Sequence, residues 1–93
     1  MVVGVMSLSI RIPEALSLKE KRLTLKSLVT RIRNRFNVSI SEMGSQDKWQ
    51  LATLGVAHVA GDRRYANQVL DRVLDFAEAV KQIEVLDSQI EFL

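Results

Sequence analysis

The sequence predicts an α+β fold in which four strands and two helices alternate as β-α-β-β-α-β along 93 residues. Three observations predict it: two long segments carry apolar residues at the 3.6-residue period of amphipathic helices, four shorter ones follow strand-like patterns, and turn residues separate them. Two split β-α-β units with right-handed crossovers close most economically into a four-stranded antiparallel sheet, order 4-1-3-2, with both helices on one face. That arrangement is the ferredoxin-like sandwich. One face of its sheet meets the helices, and the other is left to water or to a partner.

From Val2 to Ile12 the even positions Val2, Met6, Leu8, Ile10 and Ile12 are apolar while Ser7, Ser9 and Arg11 are polar, which is the alternation of a half-buried strand, ended by Pro13. Ser17 followed by Glu20 has capping-box spacing and opens a helix. Leu18, Leu25, Leu28, Val29, Ile32 and Phe36 fall on one face of it. Between Asn37 and Met43, Val38 and Ile40 oppose Ser39 and Ser41 in a second strand, and Gly44 to Asp47 reads as its turn. The segment from Trp49 to Ala60 is rich in strand formers and alternates less cleanly, as a central strand covered on both faces does. Asp62 is placed to cap a second helix reaching about Gln82, whose stripe is Tyr65, Ala66, Val69, Val73, Phe76, Ala77 and Val80. Alternation returns between Glu84 and Phe92 through Leu86, Ile90 and Phe92.

Length and composition set bounds on function. Ninety-three residues suit a single domain, 1–93, with one hydrophobic core, and an apolar fraction of 47% argues for a folded chain. No apolar run approaches the roughly 20 residues that span a bilayer, and no signal-peptide pattern opens the chain, so a cytoplasmic location without membrane contact is expected. There is no cysteine, which removes disulfides, thiolate nucleophiles and zinc-thiolate sites; with His58 as the single histidine, neither a metal site nor a cofactor is expected.

Charge is the most informative remaining feature. Residues 17–36 hold seven of the thirteen basic residues and one acid, Glu20, for a net +6, whereas the rest of the chain has six basic and ten acidic residues, a net −4. Segregation of this kind attracts polyanions. On the helical wheel Lys19, Arg22, Lys26 and Arg33 lie within about 60° of one another on one flank of the apolar stripe, with Lys21, Arg31 and Arg35 assigned to the other. Lys19, Lys21 and Arg22 also sit in the first turns, where the helix dipole disfavours cations by some tenths of a kcal/mol, a local rule broken without visible structural gain. The expected anion- or nucleic-acid-binding residues are therefore Lys19, Lys21, Arg22, Lys26 and Arg33. Trp49 and Gln50 are the expected partner contacts, since a lone tryptophan supplies contact area and a stacking surface. His58, between apolar neighbours and without a nucleophile or carboxylate at catalytic spacing, reads as a packed, hydrogen-bonded histidine. If the first and third strands pair about Ser7 and Gly55, then Val3, Val5, Ala57 and Val59 meet on the face away from the helices, a small apolar patch; a homodimer through this face or through an edge strand is expected.

Ser17-Leu-Lys-Glu-Lys-Arg22, Arg35-Phe-Asn-Val-Ser39, Glu42, Asp47 with Trp49-Gln50, and Ala52-Thr-Leu-Gly-Val56 together resemble the YlxP-like family of small bacterial proteins, over essentially the whole chain. The resemblance implies a ferredoxin-like fold and a role near ribosomal RNA or ribosome-assembly factors, and no established activity. His58 departs from the more aliphatic residue of similar sequences, which argues against a family-wide catalytic histidine.

Three function classes follow. A nucleic-acid binder would be backbone-led, because the outward positions Ser7, Ser9, Arg11, Thr53 and Gly55 supply no ring on which to stack bases. A dimeric protein-interaction module would dock the same basic helix on an acidic partner. An enzyme is not expected: acylphosphatases share this strand order, but they need a glycine-rich, arginine-bearing loop after the first strand, where this chain has Ile12-Pro-Glu-Ala-Leu-Ser17.

Overall fold

Alternation in the first strand and two amphipathic stripes translate into a two-layer sandwich. The computed structural model describes residues 1–44, 48 and 50–93. Its elements are β1 (Val2–Arg11), α1 (Leu18–Arg35), β2 (Ser39–Met43), β3 (Leu51–Ala60), α2 (Arg63–Glu78) and β4 (Glu84–Phe92). The sheet order is β2-β3-β1-β4, with every pairing antiparallel, so the expected 4-1-3-2 order is the one observed, read from the other edge.

The register of β1 on β3 sets which residues the helices cover. Ser7 opposes Gly55, Val5 opposes Ala57 and Val3 opposes Val59, as the outward apolar patch requires. On the other face Met6, Leu8, Ile10, Leu54 and Val56 are sealed beneath Leu28 and Ile32 of α1 and Leu70 and Val73 of α2. The helix α2 lies so close to β1 that a Cβ on Gly4 would come within 2.9 Å of Leu70 Cδ1 and 3.2 Å of the Ala66 Cβ. Gly44 ends β2 in the left-handed region, at φ 63°, where a glycine avoids the Cβ clash.

The structure departs from the sequence-based reading at several points, beginning with β2, which starts at Ser39 instead of Asn37. The β1 ladder stops at Arg11 instead of Ile12, though Ile12 remains buried and its N–H donates to Gln50 O. The second helix ends at Glu78, not near Gln82: the Ala79 N–H is shared between Asp75 O and Phe76 O, and the Val80 N–H turns back to Ala77 O. This tightened last turn drops Val80 and Ile83 into the core. In β4, Leu86 is exposed and not core-facing as the alternation implied. The pairing shifts between Ser9 and Ile10, which oppose Asp87 and Val85, so Leu86 is the extra bulge residue and Val85 takes the inward place. In α2, Tyr65 lies on the expected apolar stripe yet is 52% exposed, and Leu70, which that stripe omitted, is fully buried.

Candidate nucleic-acid interface

The basic helix begins where Ser17 accepts a hydrogen bond from the Glu20 N–H; the Glu20 carboxylate in turn takes the Leu16 N–H, one residue earlier than a standard capping box would. This start fixes the rotation of α1, and Leu25, Leu28 and Ile32 then turn inward. Lys19, Arg22 and Lys26 consequently face solvent on one flank. Among the described residues none of the three takes part in an ion pair; the two pairs found are Arg11 with Glu84 and Lys21 with Glu42. Arg33, in the last turn of the helix, continues this flank to β2, where its guanidinium donates to the Ile40 carbonyl at 3.0 Å. Lys19 to Arg33 covers about 21 Å at the helical rise of about 1.5 Å per residue.

Lys21 requires a correction. Expected among the anion-binding cations, it is 1% exposed, and its ammonium donates to Lys48 O at 2.6 Å and lies 3.3 Å from Glu42 Oε2. The cause is visible in the spacing: Leu18, Lys21, Leu25, Leu28 and Ile32 step by three and four residues, which puts Lys21 inside the apolar stripe and not on its flank. Its stem fills core volume, and its charge ties α1 to the β2 strand and the segment after it. Among the described residues Glu42 Oε2 is buried and accepts no hydrogen bond, and the Lys21 ammonium supplies its countercharge.

Gln50 is half-buried, and its amide Nε2 donates to Pro13 O at 3.2 Å and Ala15 O at 3.3 Å. It therefore clamps the β1–α1 loop, and its NH2 donors are spent within the chain. Trp49, the other expected partner contact, lies outside the described residues, as does Asp47. On the opposite flank of α1, Arg31 and Arg35 stand over the Phe76 ring at 5.7 and 5.3 Å from its centroid. These two cations pack against α2 and do not belong to the exposed row.

His58 is 5% exposed, with Nδ1 2.8 Å from the Asn37 carbonyl, in line with the packed, hydrogen-bonded reading. No group of three acidic or histidine side chains able to hold a metal occurs among the described residues. No helix among them is long and apolar enough to cross a membrane. Among the described residues, what this flank of α1 presents is a row of three cations without ion pairs and a fourth tied to a strand carbonyl.

Residues 3–90 match the family described as "Protein of unknown function (DUF503)". The chain belongs to this family. It is 49% identical over 71 residues to the uncharacterized protein YlxP of Bacillus subtilis (strain 168), covering 76% of this chain and 77% of that protein. Among solved structures the chain is similar to the de novo designed protein Foldit4, with a TM-score of 0.51 and 14% identity over 98% of this chain and 93% of that one. That likeness concerns the fold alone.

Proposed function

We propose that this DUF503 domain is a small, non-catalytic, cytoplasmic binding protein that contacts RNA or a ribosome-assembly particle through the exposed flank of α1. The observation that carries the reading is the row Lys19, Arg22 and Lys26, solvent-facing and without acid partners among the described residues. Arg33 extends it, with guanidinium N–H groups left over after its bond to Ile40 O. Lys21 has no part in it. Such a row meets successive phosphates and releases their counterions, while the described residues on the open face of the sheet bear no ring for bases to stack on, so recognition is of backbone and shape.

A filter-binding titration of structured RNA at several salt concentrations tests this. Three to four phosphate contacts give a log–log slope of about −3, or about a 60-fold loss of affinity between 50 and 200 mM salt. A flat salt response, or no binding at low salt, removes the reading.

A second reading draws on the other side of the sheet. Val59, paired with Val3, is 60% exposed, and Met43, near the Val5–Ala57 pair, is 54% exposed. This supports a dimeric interaction module that joins two copies by the open face and docks α1 on an acidic protein. It predicts a partner that survives nuclease treatment and is lost with Lys19→Glu together with Arg22→Glu.

A further inference from the structure

Beside the C-terminal end of α1, between it and α2, lies a groove of about 880 Å³. One wall is a row on α2 that includes Tyr65, Val69, Arg72 and Phe76; the other is the end of α1 at Arg35 and Phe36. This explains why Tyr65 sits on the apolar stripe of α2 and is still half-exposed: the stripe has no facing helix there. The groove is of the size that holds small organic ligands, about 300–1,000 Å³.

Its chemistry is specific. His58 lines the groove, and Nδ1 lies against a carbonyl, which only accepts, so in the neutral ring Nδ1 carries the proton and Nε2 is an acceptor. Nε2 is buried and has no hydrogen-bond partner among the described residues, so a polar atom removed from water goes unanswered there. Around it are rings: Tyr65 at 5.8 Å from the imidazole, and Phe36 edge-on to Phe76 at 5.9 Å. At the rim stand two cations, Arg35 held over Phe76 and the exposed Arg72, against one acid, Asp75. The ligand that answers all three features carries an N–H or O–H donor on a flat ring and an anionic group several ångströms away.

We propose that this groove is a nucleotide site, in which a base with an exocyclic amine donates to His58 Nε2, stacks among the aromatic side chains, and turns its phosphate to Arg35 and Arg72. Entry to Nε2 displaces the Tyr65 ring, whose hydroxyl makes no hydrogen bond among the described residues and whose backbone is tied separately to the Asp62 cap. The site is distinct from the Lys19–Lys26 row, so it neither needs the RNA-backbone reading nor falls with it. Its nucleotide is free, or it is the unpaired end of a strand.

The test is a titration of the full chain with adenosine 5′-monophosphate, followed by amide and side-chain NMR shifts. The expected result is saturable shifts at His58, Tyr65 and Arg72, a Kd below 1 mM, and at least tenfold weaker binding of both adenosine and ribose 5-phosphate. Arg72→Glu, at an exposed position, weakens binding at least tenfold, as does His58→Phe, whereas Lys19→Glu with Lys26→Glu leaves it unchanged. A short single-stranded oligoadenylate with a 5′-phosphate distinguishes the sources: binding tighter than the mononucleotide assigns a strand end, and weaker binding assigns the free nucleotide. No saturable shift at 5 mM, ribose 5-phosphate binding as well as the nucleotide, or an Arg72→Glu protein with unchanged affinity overturns the proposal.

Discussion

Replacing Lys21 with methionine separates a structural lysine from a binding one. The change keeps the length of the stem and removes the charge. At 3.3 Å and an effective dielectric of about 20, the attraction to Glu42 is about 5 kcal/mol before solvation is counted. Against this stands the cost of burying the ammonium, several kcal/mol, which the variant recovers. It also loses the 2.6 Å bond to Lys48 O and leaves the buried Glu42 Oε2 with no countercharge at that contact. Glu42 is 26% exposed, so water relieves part of that loss, and the expected net destabilisation is about 3 kcal/mol, at the lower end for a broken buried pair. Urea unfolding followed by circular dichroism reads this as a midpoint shift of about 2–3 M for a slope of about 1–1.5 kcal/mol/M. Lys19→Met, on the solvent flank, moves stability by less than about 0.5 kcal/mol. Lys21→Met combined with Glu42→Gln is less harmful than the sum of the two, by about 1–2 kcal/mol, because the second change removes the stranded charge. A Lys21→Met protein as stable as the parent, with RNA affinity lowered instead, would refute the assignment of Lys21 to the core.

Among the remaining predictions, Lys19→Gln and Lys26→Gln each lower RNA affinity without altering the folding midpoint, and each flattens the salt slope by about 1, read by filter binding. Gly4→Ala destabilises by about 1–3 kcal/mol, since its Cβ meets the rigid Ala66 Cβ and a Leu70 that is wholly enclosed; thermal unfolding checks it, and an unchanged midpoint would show that α2 rides higher on the sheet. Asp62→Ala removes the acceptor for the Tyr65 N–H and costs about 1 kcal/mol, measured by the same unfolding curve, with Asp62→Asn close to neutral.

Several features of the chain are fixed by local rules and were legible as such. The alternation of β1, the caps at Ser17 and Asp62 and the two stripes depend on backbone geometry and on residues a few positions apart. The antiparallel register about Ser7 and Gly55 was also readable, because a one-residue slip would turn Met6, Leu8 and Ile10 out to water. Lys21 carries two opposed signals: its three-four spacing with Leu18 and Leu25 makes it part of the buried face, while its charge points to water, and burial wins because the fold supplies Glu42 and Lys48 O to receive the ammonium.

Tertiary structure alone decided the rest. The bulge that exchanges Leu86 for Val85 depends on how β4 must bend along β1, and no local pattern encodes that. The use of Gln50 to hold Pro13 O and Ala15 O, and of Arg33 to reach Ile40 O, required chain segments far apart or across a turn to meet. So did the groove over His58, which the end of α1, the end of β3 and one face of α2 enclose together. The sequence by itself determined which elements form and which way each one faces, because both are settled by periodicities of two and 3.6 residues. Which cations remain free, and where an unfilled space is left between layers, follows from how those elements are set against one another in three dimensions.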